Sequence, residues 1–214
     1  MHSTGAVITA DMVNSTGLGS RGIAAVGTAI ERTLEEHGAA MLSYYRGDSF
    51  QAYLSSPYPA LRLAMLLRCE TRLEGYRLSG LATDLKVSVC LGEIDMPVTP
   101  KTAHAAAFVL SGTGLDALEK SGRRLLLQST RPEERIALQS IALFVDYLFN
   151  ALTGKQAEVL RLLLKGQNQS EIAKALGKSQ STINKHIQVM GWKYLEELLS
   201  LYEAEVKQTE EGYG

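Results

Sequence analysis

The sequence predicts an α+β protein in two parts, a sheet with its own helices followed by a run of helices alone. Three observations carry this. Strand-like and helix-like stretches succeed one another as β-α-β-β-α-β-α-β between Gly5 and Ser129. No strand pattern recurs after Ser129. The helices beyond it are set off by their own start and stop residues, among them Thr153, Gly166, Gly177 and Ser179. The chain thus divides into a sheet domain (1–130), a connecting helix (131–151) and a helical domain (152–214).

With 214 residues, 45% of them hydrophobic, the chain can bury a sizeable core. A formal charge of −1 excludes a surface that is basic all over, so any contact with a polyanion must come from a local patch. Cys69 and Cys90 sit in apolar patterns without CxxC or Cys/His spacing, which points to a reducing compartment and no structural zinc. No apolar run approaches membrane length, and MHSTGAVITADMV lacks the basic flank of a leader. A soluble, cytoplasmic protein without membrane contact is the expectation.

Gly5 to Met12 is a short apolar, β-branched run that reads as a buried strand, and Asn14 to Gly19 is a polar turn after it. Arg21 to His37 places Ile23, Val26, Ile30 and Leu34 at helical spacing and stops at Gly38. Met41 to Leu54 is a hairpin of two strands about Arg46-Gly47-Asp48-Ser49. Pro57 and Pro59 open a helix that runs to about Leu78, with Leu61, Ala64, Met65, Leu66 and Cys69 inward and Arg62, Arg68, Arg72 and Arg77 mostly outward. Leu85 to Ile94 alternates Val87, Val89 and Leu91 against Lys86, Ser88 and Cys90, a strand with one buried face. A loop with Pro97 and Pro100 leads to a helix from about Ala103 to Lys120, and Arg124 to Ser129 is the last strand. This order suggests an antiparallel-centred sheet with helices on one face, as in ferredoxin-like α+β folds.

Glu133 to Asn150 reads as one helix, whose Ile136, Ile141, Leu143, Phe144, Tyr147 and Leu148 form a wide apolar surface for packing on both neighbours. Trp192 to Val206 spaces Leu195, Leu199, Tyr202 and Val206 at four, three and four residues. That seam suits either a partner helix or packing within the chain. Lys207 to Gly214 reads as a frayed end.

Between these helices, Leu152 to Ile187 forms three more. Thr153 with Gln156 makes a capping box, Asn168 or Ser170 starts the second helix with Glu171 in its first turn, and Ser179 can cap the third. Ile172, Ala173, Leu176, Ile183 and Ile187 face inward, and Gly177 takes the tight turn. Ser179, Gln180, Ser181, Thr182, Asn184, Lys185 and Gln188 are left outside. These short donors and acceptors suit base edges, and the lysine suits phosphate. Residues 152–193 hold seven Lys or Arg against two acids, a basic segment in a nearly neutral chain. Spans such as SEIAKALGKSQSTINKHI resemble the LuxR-type and sigma region 4-like helix-turn-helix families, with Ala173, Gly177 and Ile183 at the small, turn and core positions. The resemblance implies binding to double-stranded DNA, transcription regulation and a homodimer.

Asp11 ends the first strand and Asp48 lies in the hairpin. If those strands are neighbours, the two carboxylates can hold Mg²⁺, and the backbone of Asn14, Ser15 and Thr16 can meet phosphate oxygens of a nucleotide. The plainer reading is that Asp11 caps the turn and Asp48 builds the hairpin. ITADMVNST, RGDSFQAYL and VSVCLGEI, with the strand order, are similar to the SatD family and more distantly to class III nucleotidyl cyclases over residues 5 to 130. In those cyclases the acids matching Asp11 and Asp48 bind two metals. The cyclase's base-reading lysine is replaced here by Tyr44-Tyr45-Arg46, and AAAFVLSGTGLDAL (105–118) lacks its asparagine and arginine, which argues against phosphoryl transfer. No Ser-His-Asp set can be assembled from His37, His104 and His186. The expectation is a DNA-binding regulator with a degenerate cyclase-like sensory or assembly domain. The rival is a nucleotide- and Mg-binding enzyme or sensor whose helical module binds a protein.

Overall fold

In the computed structural model, which describes residues 2–45, 47–95, 97–99, 103 and 105–211, a five-stranded sheet precedes a helical tail. Arg46, Pro100, His104 and residues 212–214 lie outside the described residues. The elements run β1 (His2–Val13), α1 (Gly19–Glu36), β2 (Ala39–Tyr45), β3 (Ser49–Leu54), α2 (Ala60–Ser79), β4 (Asp84–Asp95), α3 (Ala106–Ser121), β5 (Leu125–Ser129) and α4 (Arg135–Ala151). After them come α5 (Gly154–Leu164), α6 (Gln169–Leu176), α7 (Gln180–Val189) and α8 (Trp192–Glu211). The strand order is β2-β3-β1-β4-β5. β1 is antiparallel to β3 and β4, and β5 is added parallel to β4. The first four strands therefore have the ferredoxin-like arrangement, and the α3 crossover supplies the fifth.

β1 holds the centre because it is apolar on both sides. Ala6, Ile8 and Ala10 face the main core with α1, α2 and α4, while Val7 joins Cys90, Ile94, Ala107 and Phe108 in a smaller cluster beneath α3. Helices thus cover both faces of the sheet, where the sequence suggested one. The alternation read in β4 concealed this, since Ser88 and Cys90, set against the apolar Val87, Val89 and Leu91, are themselves both buried. α3 approaches closely because Gly114 has no side chain: a Cβ there would overlap the side chains of Gln128 and Ser88. A buried relay, Gln51 Nε2 to Thr9 Oγ1 at 2.9 Å and Thr9 to Ser111 at 2.8 Å, satisfies the polar groups of this interface.

Arg68 departs furthest from its expected place. It is fully buried, and its guanidinium grips Asp84 through Nε (3.1 Å) and Nη2 (2.9 Å) while Nη1 donates to Asp146 of α4 at 2.8 Å. Asp146 in turn accepts the Arg124 backbone N–H at 2.7 Å, and the Phe149 ring lies 4.5 Å from the Arg68 guanidinium carbon. Burial works against the charge on Asp84, but Arg68 and Arg72 outweigh it and hold the carboxyl below its ordinary range. This cluster joins α2, β4, β5 and α4. In α4, Leu138, Ala142, Val145 and Phe149 are the buried face, whereas four of the six apolar residues read in this helix, Ile136, Leu143, Phe144 and Tyr147, are exposed and only Ile141 and Leu148 are partly buried.

One apolar cluster continues from the sheet into the helical tail, taking in Leu160, Ile172, Ile183, Leu195 and Leu199. The α8 seam is packed within the chain: Leu195, Leu199 and Tyr202 are all buried, and Glu203 accepts two hydrogen bonds from Arg62 of α2 at 2.7 and 3.2 Å.

Candidate nucleic-acid interface

The helix-turn-helix is fixed by local capping. Thr153 Oγ1 accepts from the Gln156 backbone N–H, and Gln156 Oε1 accepts from the Thr153 N–H at 2.8 Å. Asn168 Oδ1 accepts from Ser170 and Glu171 N–H at 2.9 and 3.1 Å, and Glu171 reaches back to the Asn168 N–H at 2.8 Å. Each box satisfies otherwise unpaired N–H groups of a first helical turn. Gly177 adopts φ 61°, ψ 37°, a left-handed conformation that turns α6 into α7 at little steric cost.

α7 buries Ile183 and Ile187, half-buries His186 and presents the rest. Gln180, Ser181, Thr182, Asn184, Lys185 and Gln188 are exposed, as is the capping Ser179. Ser179 Oγ accepts from Thr182 N–H at 3.2 Å and lies 2.9 Å from both the Ser181 and Thr182 hydroxyls, so the hydroxyl trio is already engaged with itself. Lys185 has no ion-pair partner among the described residues. All seven residues proposed from sequence are therefore exposed.

Only part of the basic charge in this segment faces outward. Of the seven cations in residues 152–193, Arg161 and Lys165 face inward: Arg161 meets Glu70 at 3.4 Å, and Lys165 meets Glu70 at 3.1 Å and Glu36 at 3.5 Å. They fasten α5 to α1 and α2. Lys155, Lys174, Lys178, Lys185 and Lys193 remain exposed for a polyanion. Helical spacing could not separate these two roles, because the partners lie far away in sequence.

The second candidate site is at the sheet. Asp11 opposes Ser49 across the β1–β3 pair, and Asp11 Oδ1 accepts from Ser49 Oγ at 2.8 Å. Asp48 Oδ2 accepts from Ser15 Oγ at 2.7 Å, and its backbone oxygen accepts from Met12 N–H at 3.1 Å. The strands are thus adjacent. Burial, and then the nearby negative charge of Asp48, push the Asp11 carboxyl above its ordinary value in spite of the Ser49 hydrogen bond. Asn14 is left-handed at φ 62°, and its Nδ2 donates to Ala82 O at 2.8 Å; Ser15 is buried, and Thr16 is exposed in a four-residue 3-10 turn. Among the described residues no group of three or more His, Cys, Asp or Glu converges to hold a metal ion. His37 Nδ1 lies 2.8 Å from Thr33 O at the end of α1, and His186 is half-buried on α7.

Residues 150–193 match the family described as bacterial regulatory proteins, luxR family. No curated protein matches the chain. Among solved structures, a bacterial light-regulated adenylyl cyclase is similar at 9% identity and TM-score 0.46, covering 59% of this chain and 76% of that one. The guanylyl cyclase Cya2 is similar at 14% identity and TM-score 0.43, over 59% and 75% of the two chains. The active GGEEF domain of a diguanylate cyclase from Vibrio cholerae aligns at 14% identity and TM-score 0.45, over 60% and 84%. With its five-stranded sheet and its helices the chain is an α+β protein, and it is the C-terminal helix-turn-helix, residues 150–193, that matches the LuxR family. No helix among the described residues is long and apolar enough to cross a membrane.

Proposed function

We propose that the chain is a cytoplasmic, sequence-specific regulator of transcription that reads double-stranded DNA with α7 and uses its sheet domain for sensing or assembly. One observation carries this reading: the polar face of α7 stands clear of the protein on an otherwise packed helix, with five exposed lysines on and around its module. Asn184 suits an adenine edge and Gln180 or Gln188 could do likewise, while Lys185 suits phosphate. The division into residues 1–130, 131–151 and 152–214 is the functional layout of this reading. A two-fold dimer would present two copies of α7 to half-sites about a helical turn apart. The outward side of α4 supports such an assembly, since its exposed residues from Ile136 to Ala151 include no charged side chain.

Fluorescence anisotropy with duplexes selected from a random pool tests the proposal. Lys185→Ala should weaken binding to all sequences alike and lower the slope of log affinity against log salt by about 1. Binding by Lys185→Ala and Asn184→Ala equal to that of the parent would remove α7 from the interface.

A second reading, a nucleotide with Mg²⁺ at Asp11 and Asp48, is favoured by the raised Asp11 carboxyl, to which burial and then the Asp48 charge contribute and which a divalent cation would offset. Two carboxylates supply hard oxygen ligands, and the phosphates and water would have to complete the shell. ATP with Mg²⁺ should then raise the melting temperature of the parent but not that of Asp11→Asn. No shift in either chain retires this reading.

A further inference from the structure

A cavity of about 600 Å³ opens between the start of α4 and the end of α8, floored by the ends of β4 and β5. Its walls divide by chemistry. Leu138, Ile141 and Val206 give it an apolar interior, and Glu93, Glu133 and Glu205 lie at exposed positions on its lining. Arg131, the one cation among the described lining residues, meets Glu134 at 3.4 Å, and acids outnumber cations on the described lining.

Tyr202 adds an independent observation. It lines the cavity, is only 3% exposed, and its hydroxyl has no hydrogen-bond partner among the described residues. A phenol buried without a partner costs stability, and most buried hydroxyls in native proteins avoid that state. Burial and the negative charges of Glu134 and Glu203 together push its ionisation up, so it stays a neutral phenol that can accept an N–H or donate to an oxygen.

We propose that this cavity is a binding site for a small organic amine, with the apolar body between α4 and α8 and the ammonium head among the carboxylates and the Tyr202 hydroxyl. The volume falls within the range of small-molecule sites, which are mostly apolar with a few convergent polar groups. An anionic ligand of the same shape would be repelled by the lining. The position matters because α8 follows α7 with only Met190 and Gly191 between them, so a molecule that sets α8 against α4 also sets the recognition helix. That regulatory consequence rests on the DNA-binding reading, whereas the site itself does not.

A matched pair of probes tests the site on the full chain by calorimetry: 4-phenylbutylamine and 4-phenylbutanoate share a body and differ in the sign of the head. The amine should bind at one site with a Kd of about 0.1–1 mM, ordinary for so small a ligand. The acid should bind at least about tenfold more weakly, given the sign of the lining. Glu133→Gln with Glu205→Gln, both at exposed positions, should cut amine affinity about fivefold without lowering the melting temperature of the ligand-free chain. Tyr202→Phe should fold at least as well as the parent yet bind the amine more weakly, and Ile141→Trp should block binding by filling the cavity. Equal binding of acid and amine, no binding of the amine at about 10 mM, or undiminished amine binding by the Glu133/Glu205 and Tyr202 variants would overturn the proposal. Loss of DNA binding with amine binding intact would leave the site standing and count against the regulator reading alone.

Discussion

The Arg68 cluster and the outer face of α7 are both polar assemblies on helices of this protein, and they are opposites. At Arg68 the guanidinium nitrogens are directed at two carboxylates, one of which also accepts from the backbone N–H groups of Arg124 and Leu125 at the start of β5. On α7, by contrast, Lys185 has no ion-pair partner among the described residues and Asn184 faces solvent. A polar group whose valences are all met within the chain holds the fold, and one kept unmet on a rigid helix is available to a partner. The cap boxes of α5 and α6 connect the two cases, since they use local hydrogen bonds to fix the helices from which α7 projects.

The largest effect expected from this contrast is at Arg68. Arg68→Ala leaves Asp84 and Asp146 buried without their shared cation and should destabilise the protein by about 3–5 kcal/mol, measured by denaturant unfolding. A smaller cost from this change than from an exposed control such as Lys193→Ala would erase the distinction between the two assemblies. The same cluster sets an acid limit. Because Asp84 is depressed in the folded state, its contribution is fully present above 3.8, its ordinary value, and is lost as pH falls through the lower folded value. The parent should therefore lose stability steeply below that pH, and Asp84→Asn, already weaker at neutrality, should lose less there.

Next in size is Asn184→Ala. It should leave the melting temperature unchanged and cost about 1–3 kcal/mol of discrimination at one base pair if the side chain meets an adenine edge, read by competition between duplexes that differ at that position. A change in stability with no change in sequence choice would assign Asn184 to the fold.

How far these roles could be read beforehand follows from sequence distance. The helix-turn-helix was legible because its caps, its Gly177 turn and its Ile183/Ile187 core all lie within a few residues of one another. Arg68 was not. It occupies a position at helical spacing from Leu61, and the carboxylates that permit its burial lie 16 and 78 residues away. A charge set into apolar stripes on both α2 and α4, Arg68 on one and Asp146 on the other, was the available signal. Similarly, Arg161 and Lys165 carry the same charge as Lys185, and only the position of Glu36 and Glu70 separates fasteners from a free cation. The second covered face of the sheet was hidden because Ser88 and Cys90 look polar beside Val87 and Val89, and Tyr202 read only as part of a seam.

A cap removal of intermediate size sharpens the middle of the range. Asn168→Ala breaks the box that starts α6 and should cost about 1 kcal/mol. Because α6 positions α7 through Gly177, DNA affinity should fall with it, while Asn168→Ser, which can still cap, should restore both.

The smallest effect, and one of opposite sign, is expected at the sheet. Asp11 is the counterpart of Asp84: a carboxylate in a half-buried place where burial and a neighbouring acid raise its pKa. Such a group is a liability above its folded pKa, since the folded state must hold a charge that the unfolded chain holds more easily. Asp11→Asn should therefore raise the melting temperature at neutral pH, and the gain should shrink as pH falls towards 3.8, where the parent carboxyl becomes protonated in both states. The Ser49 hydrogen bond opposes the gain only in part, because an asparagine oxygen can still accept it. A half-buried acid beside a second one that stabilises the chain when neutralised is the pattern expected of a site kept for a cation, whereas a fall in stability at every pH would mean that Asp11 works as an ordinary cap.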